Sequence, residues 1–175
     1  PAPRLVAYVT AGDPDLTRSR EILLALGRAG ADVIEVGVPF SDPIADGPVI
    51  QRATERALAS GTTLAATLDL IASVRQTLSM PIVLFTYVNP VLRMGTDTFV
   101  SRAAQAGVDG VLLLDLPIEE SASMHQALEA RLERRGDRRS GRRGRRRVGG
   151  HAHGRARGLP LVQPLLQALT GDMLH

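Results

Sequence analysis

The sequence predicts an α/β protein built on a parallel sheet, and three observations support this prediction. Four short apolar segments alternate with segments of helical periodicity over residues 5–133. The short segments are apolar at successive positions, as strands buried on both faces require. Turns that contain Gly or Pro separate the segments. Strict alternation of this kind is typical of βαβ units, and both a doubly wound sheet and half of an eight-stranded barrel fit it.

The first unit consists of a predicted strand at residues 5–10 and a predicted helix at residues 16–29. Asp15 precedes the helix and Gly30 follows it. These residue types are favoured at the N-terminal cap and immediately after the C-terminal end of helices.

The second unit begins with a predicted strand at residues 32–38, which leads into a loop rich in Pro, Gly and Asp at residues 39–48. Two helices are predicted next, at residues 49–59 and 63–78. Gly61 lies between the two predicted helices, and Gly commonly interrupts a helix.

The third and fourth units repeat the pattern. The third has a predicted strand from Pro81 to Val88 and a predicted helix at residues 96–106, which Gly107 ends. The fourth has a predicted strand at residues 110–116 and a predicted helix at residues 118–133.

Composition excludes several classes of protein. The chain has 175 residues, of which 44% are hydrophobic, as is typical of one soluble globular domain. It contains no Cys, so neither a disulfide framework nor a thiolate metal site is expected, and no other metal site is predicted. No apolar run reaches the roughly 18 residues of a membrane helix, and no signal peptide opens the chain. We therefore expect a cytoplasmic protein without membrane segments.

Charge divides the chain into two parts. Residues 1–130 carry nine Arg against fifteen acidic residues, whereas residues 131–175 carry twelve Arg against three. We expect residues 1–133 to form the α/β domain and residues 134–175 to form an irregular Arg- and Gly-rich tail.

Two interpretations of the tail are open. Alanine-rich coding sequence in GC-rich DNA gives mainly Arg, Gly, Pro and Ala when it is read out of frame, and the tail has this composition. Alternatively, the tail is an arm that binds nucleic acid. Such an arm would lack aromatic residues for base stacking, so the frameshift is the preferred interpretation.

Glu35 is the first candidate for chemistry. It lies inside an apolar strand, where alternation places it on one face with Val33 and Gly37. Burial of a carboxyl group raises its pKa, and a raised pKa suits proton transfer near neutral pH. The alternative is a Glu at a strand end that pairs with an Arg of the next helix.

Asp42 and Asp46 are further candidates, because their loop follows the predicted second strand at its carboxyl end. Active sites of parallel α/β folds lie at that end. Three Pro and one Gly restrict the backbone between residues 39 and 48. The alternative is that both Asp are ordinary turn residues.

Four segments together resemble the tryptophan synthase alpha chain family. Residues 34–48 read Ile-Glu-Val-Gly-Val-Pro-Phe-Ser-Asp-Pro-Ile-Ala-Asp-Gly-Pro, which is similar to a long and specific signature of that family. Residues 8–14, 85–90 and 115–121 agree with the family in order and spacing. The resemblance covers residues 3–130.

The resemblance implies a (β/α)8 TIM barrel, of which this chain holds about the first four units. It implies cleavage of indole-3-glycerol phosphate to indole and glyceraldehyde 3-phosphate without a cofactor. Glu35 matches the general acid and base of this reaction. Asp46 matches the carboxylate that binds the indole N–H.

Further site residues follow from the same resemblance. Tyr8, Phe85, Tyr87 and Leu112 match positions that line the indole pocket, although plain core packing is the preferred interpretation of Leu112. Asp115 matches a site residue with a more structural role.

The resemblance also implies a partner. The family passes indole to a beta subunit that carries the cofactor PLP, in an alpha2-beta2 heterotetramer. Pro39, Asp42, Asn89 and Pro90 match the side of the alpha chain that faces this subunit.

The likeness to the family stops near residue 130. The family continues for four more units, whose loops hold the substrate phosphate, so we expect this chain to be inactive alone. One alternative function is another phosphate-binding barrel enzyme, such as a relative of indole-glycerol-phosphate synthase, which is expected to use a catalytic Lys that this chain lacks. Another is a non-catalytic binding protein with a basic arm for nucleic acid.

Overall fold

A computed structural model describes residues 4–116 of the chain. In this part, four parallel strands form one sheet in the order β1-β2-β3-β4, so each strand lies beside the next one in the chain. The strands are β1 (Val6–Thr10), β2 (Val33–Gly37), β3 (Ile82–Thr86) and β4 (Gly110–Leu113). The helix expected at residues 118–133 and the tail expected at residues 134–175 lie outside the described residues.

Helices connect the strands. Within residues 4–116 they are α1 (Leu16–Ala29), α2 (Pro48–Ala59), α3 (Leu64–Arg75), α4 (Val88–Met94) and α5 (Thr96–Ala106). In this part of the chain no single helix is long and apolar enough to cross a membrane. Only α2 and α3 together reach that length, and a bend of 94° separates them.

Most predicted helix ends are confirmed. The Asp15 side chain accepts a hydrogen bond of 2.8 Å from the backbone N–H of Arg18, which caps α1. Gly30 and Gly107 follow α1 and α5 in the left-handed conformation, which Gly adopts without steric cost. The helix predicted at 63–78 ends earlier, at Arg75, because the chain must leave the helix before Pro81.

The prediction for the third strand was wrong at its carboxyl end. The strand stops at Thr86, and Val88 is instead the first residue of the short helix α4. The Val88 N–H donates a 2.7 Å hydrogen bond to the carboxylate of Asp115, which satisfies a group that lacks a partner within the helix. Pro90 lies in the first turn, where its missing N–H costs nothing. The fourth strand likewise ends at Leu113 rather than at residue 116.

One face of the sheet packs against the helices. This core face carries Ile34, Val36, Ile82 and Leu84, all fully buried. They form one apolar cluster with side chains from α1, α3 and α5, among them Leu23, Leu68, Ile71 and Phe99. The other face, here called the open face, is only partly covered. It carries Val6, Tyr8, Val33, Glu35, Val83, Phe85 and Leu112.

Sequential strand order, with α1, α3 and α5 packed on one face of the sheet, decides between the two predicted architectures. A doubly wound sheet reverses its strand order and carries helices on both faces. Right-handed crossovers between successive neighbours place every helix on the same side. The described residues therefore have the arrangement of a barrel wall, with the open face toward the barrel axis.

An ion pair joins α3 to the amino ends of β3 and β4. Arg75 Nη1 lies 3.0 Å from Asp109 Oδ2, and the two side chains are 7% and 23% exposed. The same carboxylate oxygen accepts the N–H of Ile82 at 2.9 Å. Arg75 Nη2 donates to the carbonyl of Met80 at 3.0 Å. This edge lies opposite the carboxyl ends of the strands, so the cluster serves stability rather than chemistry.

Candidate active site

The register of the strands places the predicted pocket residues of β1 to β4 next to one another on the open face. Tyr8, Glu35 and Val83 are register partners on β1, β2 and β3. The next row toward the carboxyl ends contains Thr10, Gly37, Phe85 and Leu112. Leu112 thus lies beside Phe85 on the open face and not in the core beneath the helices.

Glu35 is half-buried on the open face. Within residues 4–116 no Arg pairs with it, because the ion pairs in this part involve Glu21, Asp13, Asp109 and Asp69. The alternative of a Glu paired with an Arg of the next helix therefore finds no support in the described residues. Burial raises the pKa of the Glu35 carboxyl, so it retains its proton to a higher pH than an exposed Glu.

Tyr8 is the register partner of Glu35, and its hydroxyl responds to both candidate carboxylates. Burial raises the pKa of its hydroxyl, a hydrogen bond with Thr10 lowers it, and the negative charges of Asp46 and Glu35 raise it further. Both carboxylates therefore act on the same hydroxyl. The Tyr8 ring meets the Phe85 ring edge to face, with centroids 5.4 Å apart, and together they form an aromatic wall.

Gly37 makes room for Tyr8, a role that the sequence alone did not reveal. A β-carbon at position 37 would overlap the Tyr8 hydroxyl and approach its ring carbon Cζ to 2.7 Å. The signal was a Gly inside a strand pattern, which often marks close approach by another group. The missing side chain allows the Tyr8 ring to lie across β2.

Asp46 is half-buried in the loop between β2 and α2, and this loop contacts Tyr87. The backbone N–H of Ala45 donates a 3.1 Å hydrogen bond to the Tyr87 hydroxyl. Burial raises the pKa of Tyr87, the hydrogen bond from Ala45 lowers it, and the negative charge of Asp46 raises it. The ring of Phe40 lies 5.1 Å from the Tyr87 ring. These contacts bring the ends of β2 and β3 together.

The remaining predicted site residues lie around the same carboxyl ends. Asp115 is exposed after β4 and caps α4 through the N–H of Val88. Asn89 is exposed in the first turn of α4, with Pro90 half-buried next to it.

The loop residues predicted to face the partner differ in accessibility. Asp42 is exposed and accepts a 2.6 Å hydrogen bond from the Ser41 hydroxyl. Pro39 is buried, so in this structure its side chain is not available at the surface. Within the described residues, 4–116, there is no group of three or more His, Cys, Asp or Glu side chains that could hold a metal ion.

A parallel sheet in sequential order, with candidate carboxylates on and beyond its second strand, corresponds to part of a parallel α/β barrel, a class whose enzymes have their active sites at the carboxyl ends of the strands. The family profile described as tryptophan synthase alpha chain matches residues 2–132. The chain belongs to the tryptophan synthase alpha chain family.

Individual relatives agree with this assignment. The tryptophan synthase alpha chain of Citrifermentans bemidjiense is 55% identical over 126 residues, which cover 72% of this chain and 47% of the relative. The crystal structure of tryptophan synthase subunit alpha from Legionella pneumophila matches with a TM-score of 0.71 and 42% identity, over 74% of this chain and 50% of that one. A chain of the tryptophan synthase complex from Pyrococcus furiosus matches with a TM-score of 0.70 and 42% identity, over 73% and 53% of the two chains.

The expected TIM-barrel fold class is thereby confirmed, and the described residues form part of such a barrel. The chain spans about half the length of the curated relatives that it matches.

Proposed function

We propose that this chain supplies the catalytic carboxylates of a tryptophan synthase alpha subunit, a lyase of tryptophan biosynthesis. The substrate is indole-3-glycerol phosphate and the products are indole and glyceraldehyde 3-phosphate. The observation that carries the proposal is the position of Glu35. It is half-buried on the open face, it has no cation partner within residues 4–116, and it lies beside an aromatic wall suited to an indole ring.

Glu35 transfers protons in both steps. Its protonated carboxyl group donates a proton to the indole carbon that bears the glycerol chain. The resulting carboxylate then takes the proton of the adjacent glycerol hydroxyl as the carbon–carbon bond breaks and the aldehyde forms. The residue ends the cycle protonated, so no external acid or base is consumed. The raised pKa increases the share of Glu35 that is protonated at a given pH, which suits this role.

Asp46 stabilises the intermediate. Protonation of the indole ring places positive charge on its nitrogen, and a carboxylate that accepts the N–H hydrogen bond offsets this charge. Asp46 lies in a loop and Glu35 in a strand, so the two carboxyl groups have different environments. Tyr8, Phe85, Tyr87 and Leu112 hold the ring between them, and Asp115 supports the site through α4.

A beta subunit is the proposed partner. One similar chain belongs to what is described as a tryptophan synthase complex, from Pyrococcus furiosus. The exposed side chains of Asp42 and Asn89, with Pro90 beside them, lie on the same edge of the molecule as the site and would face this partner. The beta subunit carries PLP, and the lyase reaction uses no cofactor. The proposed biosynthetic role places the protein in the cytoplasm.

The test is a barrel in which residues 1–132 of this chain are joined to the second half of the Citrifermentans bemidjiense relative. We expect this barrel to release indole from indole-3-glycerol phosphate. Glu35→Gln should lower kcat by at least about a hundredfold, because general acid–base catalysis contributes roughly 10²–10⁴-fold. Glu55→Gln makes the same chemical change at an exposed position of α2 and should leave turnover unaltered. Turnover of Glu35→Gln within about tenfold of the parent would exclude the proton-transfer role.

A further inference from the structure

Tyr87 lies where the carboxyl ends of β2, β3 and β4 come together. It follows β3 directly, forms the N-terminal cap position of α4 and is only 2% exposed. The next residue, Val88, donates its N–H to Asp115 at the end of β4. On its other side, the ring packs against Phe40 at the end of β2. A side chain held in this way has little freedom to move, and it can therefore fix what it touches.

The hydroxyl of Tyr87 touches the loop that carries Asp46. It accepts the N–H of Ala45, the residue immediately before Asp46, at 3.1 Å. The Asp46 carboxylate also raises the pKa of this hydroxyl. Tyr87 thus holds this loop through the backbone N–H of Ala45, the residue next to Asp46.

Few other hydrogen bonds restrain the loop, whose backbone is otherwise restricted by its Pro residues. Ile44 is 82% exposed, and Ala45 is exposed as well. Within residues 4–116, the only other hydrogen bond from outside the loop to its backbone, apart from the first turn of α2, joins Gln51 Nε2 to the Asp46 carbonyl at 2.9 Å. Loss of the Tyr87 hydroxyl would remove one of the two hydrogen bonds that restrain the backbone beside Asp46.

We propose that Tyr87 is a positioning residue that acts through Asp46, by fixing the loop at residues 41–47 so that the carboxylate faces the reacting ring. This inference rests on the proposed function, and it assigns to the hydroxyl a role beyond lining the pocket. Misplacement of a catalytic group by about 1 Å can cost on the order of a hundredfold in rate, so one hydrogen bond at this position has a measurable effect on turnover.

A double-mutant cycle in the completed barrel separates this role from direct contact with substrate. Tyr87→Phe removes only the hydroxyl and keeps the ring that packs on Phe40. We expect kcat to fall about tenfold with KM nearly unchanged, since the loss affects the reacting state. In the Asp46→Asn background, the same substitution should change kcat by less than about twofold, because residues that act as a unit are not additive. An equal fall of kcat in both backgrounds, or a rise in KM alone, would overturn the proposal.

Hydrogen exchange in the 175-residue chain gives a readout that does not depend on activity. Tyr87→Phe should accelerate exchange of the Ala45 amide by about tenfold, because its acceptor is lost. Ser73→Ala, which removes a hydroxyl from α3 far along the chain from the loop, should leave the Ala45 amide unaffected. Unchanged exchange at Ala45 in Tyr87→Phe contradicts the role of Tyr87. A parent barrel without lyase activity contradicts the proposed function instead, so the two failures are distinguishable.

Discussion

At Glu35 a residue that suits chemistry is placed at a cost in stability. The carboxyl group sits on a strand among apolar neighbours, and within residues 4–116 no cation offsets its charge. Strand alternation and an apolar context predicted this placement from the sequence. The raised pKa is the physical consequence, and it links the stability of the fold to pH.

We predict that Glu35→Gln is more stable than the parent chain at pH 7. A raised folded-state pKa means that the folded chain binds the proton more tightly than the unfolded chain. Stability of the parent therefore falls as pH rises from the ordinary Glu value through the folded value. The advantage of the Gln variant should disappear below about pH 4, where both states of the parent are protonated. Thermal unfolding at the two pH values measures this, with Glu55→Gln as the exposed control. A variant less stable than the parent at pH 7 contradicts the prediction.

Asp42 and Asp46 lie four residues apart and should respond differently to the same substitution. Asp46→Asn in the completed barrel removes the counter-charge of the indole cation, and turnover should fall about 10²–10³-fold. Asp42 is exposed and bonded only to Ser41 among the described residues, so Asp42→Asn should mainly weaken activation by the beta subunit. Steady-state rates with and without that subunit give the comparison. A larger loss of isolated activity from Asp42→Asn would reverse the two assignments.

At the scale of single residues, contacts between residues far apart in the sequence could not be predicted. Alternation placed Glu35 correctly because the strand period is a local property. The bond between Ala45 and Tyr87 joins residues 42 positions apart, and no periodic pattern encodes it. The fit of Tyr8 over Gly37 likewise depends on the register of two strands, which becomes known only when the sheet is assembled.

Among the secondary-structure elements, α4 was the main omission. Its seven residues are too few for a helical period to show, and Tyr87 and Val88 are β-favouring types that extended the strand pattern. The helix forms because a tertiary contact, the Asp115 carboxylate on the Val88 N–H, stabilises its first turn. The longer helices α1 and α5 were predicted with their correct bounds because their caps are local and their periods are complete.

Asp109 and Asp69 each form an ion pair with an Arg of another element. A comparison of the two pairs tests whether burial decides how much such a pair stabilises the fold. Asp109→Ala should destabilise the chain by about 3 kcal/mol, because it removes a largely buried ion pair and the acceptor of the Ile82 N–H. Asp69 pairs with Arg102 at 2.8 Å but is 74% exposed. Asp69→Ala should therefore cost less than about 1 kcal/mol. Urea unfolding of both variants measures the difference, and equal losses would show that burial does not decide it.

At the scale of the whole molecule, the sequence pattern alone did not decide whether the helices cover one face of the sheet or both. Strand and helix alternation is the same in a doubly wound sheet and in a barrel wall. The distinction depends on strand order and on which face the helices cover, and neither is written in the period of one segment. The family resemblance favoured the barrel. The sequential order of the strands and the packing of the core helices on one face agree with it. The tail at residues 134–175 lies outside the described residues, so neither strand order nor helix packing bears on it.

We predict that the purified 175-residue chain has no measurable lyase activity, although it contains both carboxylates. The family resemblance places the phosphate-binding loops after later strands of the barrel, and the family match ends at residue 132. Binding energy from a remote group such as the phosphate normally supplies orientation at the reacting carbon, and without it the substrate is not held against Glu35. The open face also leaves Glu35 half-exposed to water, which weakens the effect of burial on its pKa. Indole release from indole-3-glycerol phosphate, measured with and without beta subunit, checks this. Turnover comparable to that of an intact alpha subunit would show that residues 133–175 complete the site, and it would overturn their interpretation as out-of-frame sequence.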